Sequence, residues 1–190
     1  GTIAGAATTM AARQHPPRRN LVFVLSDDHR HDMLSSMGHP FLETPHMDRI
    51  ILRGAHMKNA FVTTSLCSPS RASILSGQYM HAHNVNDNST PLRSSLMTFP
   101  KVLQQNGYRT GFVGKWHMGG ESDEPRPGFD RWISFLGQGT YFDPILNYDG
   151  HHRRMTGYNP DILTHEAKKF LRENKAQPFL LFLSHKAVHD

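Results

Sequence analysis

Four stretches of this 190-residue chain carry side chains able to do chemistry. Asp27 and Asp28 are adjacent carboxylates that follow a continuous apolar run. In a regular strand they would point to opposite faces, and both can reach one point only where the chain turns out of the strand, which is where they lie. Paired carboxylates at such a turn suit a hard cation such as Ca2+ or Mg2+, which takes oxygen ligands; they equally suit a turn or a helix cap. Lys115 and His117 are two residues apart, so an extended chain projects both to one side. A lysine beside a histidine suits anion stabilisation and proton transfer, and also an ordinary solvated loop pair. His185, Lys186 and His189 follow another apolar run. Cys67, the chain's one cysteine, has Arg71 four residues on.

That single cysteine excludes an intrachain disulfide and a multi-cysteine zinc site. It stands just before a helix predicted from Pro69, a position that attracts anions and lowers a thiol pKa. Arg71 adds a planar fork for an oxyanion. A thiol phosphatase would need an arginine where Ser73 stands, so that reading fails. A buried, inert cysteine is the remaining alternative.

Elements must position these groups. Residues 21–26 are a continuous apolar run, which predicts a fully buried parallel strand. Thr44-Pro45 opens a helix to Arg53, with Gly54 as its stop. Residues 56–62 read as a short strand, and 69–76 as a helix capped by Ser68 and stopped by Gly77. Thr98 caps a helix over 99–106, and 108–113 follow as a strand. Asn159-Pro160 opens a helix to Asn174, before a buried strand over 178–184. The stretch 121–157, rich in Gly, Asp and aromatics, reads as a long surface insertion. Alternating strands and helices predict an α/β fold around a largely parallel sheet. Ligands of such sheets bind beyond the carboxyl ends of the strands. Three strands here end in Asp27-Asp28, in Lys115-Trp116-His117 and in His185-Lys186 with His189, on one rim.

Composition bounds the reading further. With 11 Phe and 19% charged residues, the chain is not of disordered type. The longest apolar runs, 21–25 and 179–183, are five residues each, far short of the ~20 that a spanning helix needs, so no transmembrane segment is expected. Net charge is +5 with no long basic run, which favours an anionic partner but not nucleic acid. Residues 1–12 are small and weakly apolar and read as the tail of an export signal. The expected organisation is an export-signal remnant or disordered arm over 1–19 and one domain portion over 20–190, in an exported protein, periplasmic or secreted.

Two motifs carry a resemblance. Cys67-x-Pro69-Ser70-Arg71 followed by Gly77 resembles the signature of type I sulfatases, whose cysteine is oxidised to formylglycine. Gly107-Tyr108-Arg109-Thr110-Gly111-Phe112-Val113-Gly114-Lys115-Trp116-His117 resembles the second signature of that family. Asp27-Asp28 fits the family's first metal-ligand pair, and Thr44-Pro45-His46-Met47-Asp48-Arg49 the segment that follows. Ser76 stands where Thr is more usual, and Asp190 where Pro is common.

The resemblance implies an alkaline-phosphatase-like α/β fold: a largely parallel sheet flanked by helices, here its N-terminal part, since complete members run roughly two to three times this length. It implies a sulfuric ester hydrolase that uses a divalent cation, Ca2+ before Mg2+, and a formylglycine made from Cys67 by a formylglycine-forming enzyme. Asp27, Asp28 and the position-67 oxygen would be metal ligands. Arg71 would hold the formylglycine, Lys115 would bind sulfate oxygens, His189 (or His185) would protonate the leaving alcohol, and His117 would take the proton that restores the aldehyde. His185 and His189 would line the substrate site with Lys115. The substrate would be a sulfated carbohydrate: the stretch 141–164, through Asn147, Gly150, Gly157, Tyr158, Asp161 and Thr164, is similar to the branch acting on 6-O-sulfated N-acetylglucosamine. Basic His151-His152-Arg153-Arg154 could meet a sulfated polymer. Two other classes stay open: a phosphate- or phosphonate-ester hydrolase of the same fold, and a non-catalytic truncated protein that binds anionic glycan. The family's further Asp-Asn metal pair lies downstream, so this segment alone is expected to be inactive, to bind the cation weakly, and to leave the 178–184 strand as an exposed apolar edge.

Overall fold

The computed structural model describes residues 18–190, so most of the expected export-signal remnant lies outside the described residues. The chain forms one six-stranded sheet: β1 (Leu21–Leu25), β2 (Arg109–Lys115), β3 (Arg131–Phe135), β4 (Ile145–Tyr148), β5 (His151–Arg154) and β6 (Phe179–Ser184), of which β1 and β6 carry the two five-residue apolar runs. The spatial order is β1-β6-β2-β3-β4-β5. β1, β6, β2 and β3 run parallel, while β4 and β5 are antiparallel. The expected largely parallel sheet flanked by helices is therefore present, with an antiparallel hairpin added at one side.

The helices are α1 (Pro45–Arg53), α2 (Cys67–Ser76), α3 (Met80–His83), α4 (Phe99–Gln105) and α5 (Asn159–Asn174). They cover both faces of the sheet. On one, Leu163, Ala167 and Phe170 of α5 pack on Val113, Ile133, Leu181 and Leu183. On the other, Ala72 and Leu75 of α2 join Phe112, Trp132 and Phe182. Successive strand residues point to opposite faces, so strands buried on both sides must be apolar without interruption. Phe182 serves one face and Leu181 and Leu183 the other, which explains the run.

Several expectations need correction. The 21–26 run is not fully buried: among the described residues β1 is the sheet's edge, paired to β6 alone, with Val22 and Val24 52% and 59% exposed. The 178–184 run is not an exposed edge, because β6 sits between β1 and β2 and is buried throughout. Residues 56–62 form no strand. The stretch 121–157 is no insertion: it supplies β3, with Trp132, Ile133, Ser134 and Phe135 buried inside the sheet, and the β4–β5 hairpin. That hairpin turns on Asp149-Gly150, both at positive φ (52° and 94°), as a tight two-residue turn requires. The helix expected from Pro69 begins two residues earlier, at Cys67, with Leu66 and not Ser68 at the cap position. Gly77 does stop it, at φ 67°, returning its N–H to Ser73 O at 2.8 Å.

Candidate active site

The parallel strands β1, β6 and β2 end on one rim, and their exits are tied together. His185 N–H donates to Leu25 O, Asp27 N–H to Ala187 O and Val188 N–H to Asp27 O, each at 2.9 Å. These bonds carry Asp27 and His189 to the same mouth. Beside them, β2 ends in Lys115. Gly114 lets β2 and β6 close at that point: a Cβ there would meet Ser184 O at 1.8 Å.

Helix α2 supplies the rest. Cys67 is its first residue and Arg71 lies one turn on, so both face the rim. Arg71 Nη1 donates to Lys115 O at 2.7 Å and to Ser184 Oγ at 2.6 Å, and Nη2 lies 3.2 Å from Asp27 Oδ1. Lys115 Nζ donates to Asp27 Oδ2 and to Gln138 Oε1, and lies 4.0 Å from Cys67 Sγ. Ligand atoms of Asp27, Cys67 and His189 lie within 4.8 Å of one another. Ser68 anchors the helix start: its N–H donates to Asn88 Oδ1 at 3.0 Å and its hydroxyl to His117 O.

The electrostatics suit an anion. Asp27, Lys115 and Arg71 are all buried, and two cations share one carboxylate, leaving one positive charge in excess beside Cys67. Burial opposes ionisation of Asp27, but Lys115 and Arg71 together outweigh it and hold its pKa below the usual carboxylate range. Burial pushes the pKa of Lys115 down, with Asp27 opposing. His117, at φ 55° and 8% exposed, has its pKa lowered to about 4, first by burial and then by the charges of Lys115 and Arg71. Among the described residues its Nδ1 has no hydrogen-bond partner. At neutral pH it is therefore an unprotonated base.

The rim gathers Asp27, Cys67, Arg71, Lys115 and His189, with His117 reached through its main chain. Two sequence-predicted residues stand apart. Asp28, at φ 58°, is exposed and lies outside the cluster. His185 is outside it too; burial lowers its pKa, and among the described residues its Nδ1 has no hydrogen-bond partner. As a donor set for a hard cation the described residues fit in part: such a cation takes about six to eight oxygens, and the cluster offers one carboxylate that two cations already hold. Sequence reasoning missed Gln138, Asn88, Ser184 and Tyr141. Ser184, at the end of an apolar strand aimed at the rim, was the one with a local signal. Clefts of about 310 and 380 Å3 flank the 119–122 loop and one of about 360 Å3 lies along residues 155–166; none is lined by a residue of the cluster.

Comparison with known proteins gives the following. A family model described as Sulfatase matches residues 19–190. The chain is 39% identical over 181 residues to an N-acetylglucosamine-6-O-sulfatase of Bacteroides thetaiotaomicron, covering 93% of this chain and 32% of that protein. It is 31% identical over 196 residues to the extracellular sulfatase SULF-1 homolog of Drosophila melanogaster, covering 94% of this chain and 17% of that protein. The solved structure of BT4656 in complex with its substrate D-glucosamine-2-N,6-O-disulfate superposes with a TM-score of 0.86 at 38% identity, covering 91% of this chain and 35% of that one. The chain thus spans about a third or less of the length of these proteins.

Proposed function

The chain belongs to the sulfatase family, and from that premise we propose that its parent protein hydrolyses sulfate esters of a glycan, with 6-O-sulfated N-acetylglucosamine the first substrate to test. The observation that carries this reading is the buried Asp27–Lys115–Arg71 triad set against Cys67 at the mouth of the parallel strands. A sulfate ester is surrounded by negative oxygen, and its hydrolysis needs fixed positive charge near sulfur, a nucleophile, and a proton for the departing alcohol.

The residues divide that work. Lys115, held by Asp27 and Gln138, binds sulfate oxygens from a fixed position. Arg71, pinned by three partners, orients the group at position 67 and offsets charge. Position 67 carries the formylglycine, which supplies a hydrated aldehyde as nucleophile. His189 protonates the leaving alcohol oxygen, with His185 the less favoured donor because it lies outside the cluster. His117 is already unprotonated at neutral pH and takes the proton of the second hydroxyl at position 67, so that C=O reforms as the carbon–oxygen bond to the transferred sulfate breaks and sulfate leaves. A divalent cation, Ca2+ before Mg2+, would be held by Asp27 and an oxygen at position 67, and Asp28, which faces solvent here, would join them only by turning inward. When bound it supplies Lewis acidity toward sulfate and lowers the nucleophile's pKa. We place its remaining ligands in the longer parent protein. Among the described residues no helix is long and apolar enough to cross a membrane, and export is part of the proposal.

The test is coexpression of the full-length protein with a formylglycine-forming enzyme. Mass spectrometry should find an aldehyde in the Cys67 peptide, and the product should desulfate 6-O-sulfated N-acetylglucosamine. A Cys67→Ala variant should lose turnover. A persistent thiol, or turnover that survives Cys67→Ala, contradicts the reading. Preferred cleavage of a phosphate or phosphonate ester would instead support the second class.

A further inference from the structure

If His189 protonates the leaving oxygen, the sugar that carries that oxygen must extend from His189. The neighbour of His189 is an aromatic shelf. Tyr141, in the loop after β3, donates its hydroxyl to His189 O. Its ring stacks on Tyr158, with centroids 5.8 Å apart and planes 16° apart. Phe142 meets the same Tyr158 ring at 5.4 Å. The Lys186 ammonium lies 4.4 Å from the Tyr141 ring centre and further fixes that ring.

The shelf is rigid. Its two chain segments are zipped together: Asn159 N–H donates to Tyr141 O at 2.7 Å, Asp143 N–H to Gly157 O at 2.9 Å, and Asn159 Nδ2 to Thr140 O at 2.8 Å. Yet among the described residues nothing covers two of its large rings, Phe142 at 68% and Tyr158 at 39% exposure. Neither belongs to the hydrophobic cores. Exposed aromatic surface held rigid beside a site is surface prepared for a ligand, because the ordering cost is met before binding.

We propose that Phe142 and Tyr158 bind the pyranose ring of the substrate on the leaving-group side, and that this shelf contributes to choosing a sugar sulfate over other sulfate esters. A pyranose has a flat face of C–H groups and a rim of hydroxyls. The face packs on an aromatic ring while the hydroxyls keep their water, and the ring quadrupole attracts the polarised C–H hydrogens. The proposal rests on the sulfatase reading and names the part of the substrate that this chain grips.

The experiment uses the full-length protein with position 67 modified, as wild type and as Phe142→Ala, Tyr158→Ala and Phe142→Trp. One arm measures turnover of 6-O-sulfated N-acetylglucosamine. The alanine variants should raise KM about five- to tenfold with kcat falling less than about twofold, and Phe142→Trp, which restores an aromatic face, should recover most of the KM lost in Phe142→Ala. The second arm measures binding of unsulfated N-acetylglucosamine by NMR saturation transfer, which needs no turnover. The alanine variants should weaken the signal, and Phe142→Trp should keep it. Wild type that binds the sugar but cleaves no sulfate ester sinks the sulfatase reading alone. Unchanged KM and unchanged binding in both alanine variants mean that the shelf is idle or covered by other residues, and overturn the proposal.

Discussion

His117 shows how one side chain acquires a role from its surroundings. Burial comes first, and the cations of Lys115 and Arg71 second, in bringing its pKa to about 4 from an ordinary 6.5. The folded state therefore refuses a proton that the unfolded chain accepts between those values. The sign follows: in that window the unfolded state binds more protons, so the His117 contribution to stability falls as pH drops from about 6.5 to about 4 and levels off below, where protonation of carboxylates such as Asp27, whose pKa is held down in the fold, continues the loss. The His117 contribution is on the order of 2–3 kcal/mol. Buried His83 and half-buried His185 shift in the same direction and add to the loss. Urea midpoints at pH 7 and pH 4.5 measure the loss, and His117→Gln should flatten the difference; a wild-type midpoint that does not move contradicts the buried, neutral imidazole. In the full-length protein, His117→Ala should lower kcat far more than it raises KM, with the fold intact by circular dichroism. Normal kcat would remove His117 from the chemistry.

Two elements can be tested without any substrate. At the end of β2, Gly114 has φ 121° and a clearance of 1.8 Å to Ser184 O for any added Cβ. Gly114→Ala should cost about 2–4 kcal/mol, from backbone strain together with forced separation of β2 from β6. Urea unfolding reads it directly, and a wild-type midpoint would mean that the two strands do not close as described. At the sheet's edge, β1 presents apolar Val22 and Val24 and, among the described residues, an outer row of backbone groups that no strand pairs, a template for pairing with another chain. Val24→Lys should raise the concentration at which the 190-residue chain stays monomeric in size-exclusion chromatography. No change would move the sticky surface to α1, where Ile50 and Leu52 are also exposed.

For the molecule as a whole, the ion triad has a consequence for metal binding. The one carboxylate in the cluster is shared by Lys115 and Arg71, and Asp28 faces solvent. A cation entering there competes with two fixed charges and finds too few oxygens. Calorimetric titration of the 190-residue chain with Ca2+ and Mg2+ should therefore show weak binding at best. An aryl sulfate assay should show no turnover above a Cys67→Ala control, even with position 67 modified. Submicromolar affinity, or turnover clearly above the control, would mean that these residues make a complete site by themselves.

Much of this was local and therefore legible in the chain. Helix limits set by Thr44-Pro45, Gly77 and Asn159-Pro160 depend on neighbours in sequence, and so does the placing of Lys115 and His117 at a strand's end. The context Cys67-x-Pro69-Ser70-Arg71 is likewise a pattern of adjacent residues, and one helical turn separates its two reactive members in any α-helix. Strand order is different in kind. Nothing inside 21–25 says that β1 is an edge while 179–183, equally apolar, is central, because that depends on which distant segments pair with each. The hairpin at Asp149-Gly150 had a local signal, but the burial of Trp132 within the sheet came from pairing with β2. The direction of Asp28 was decided by a left-handed turn that two adjacent carboxylates do not announce. Gln138 and Tyr141 reach Lys115 and His189 from loops dozens of residues away in sequence. Tertiary structure alone makes such neighbours, since the hydrogen bonds that hold them are satisfied only after the strands between have found their places.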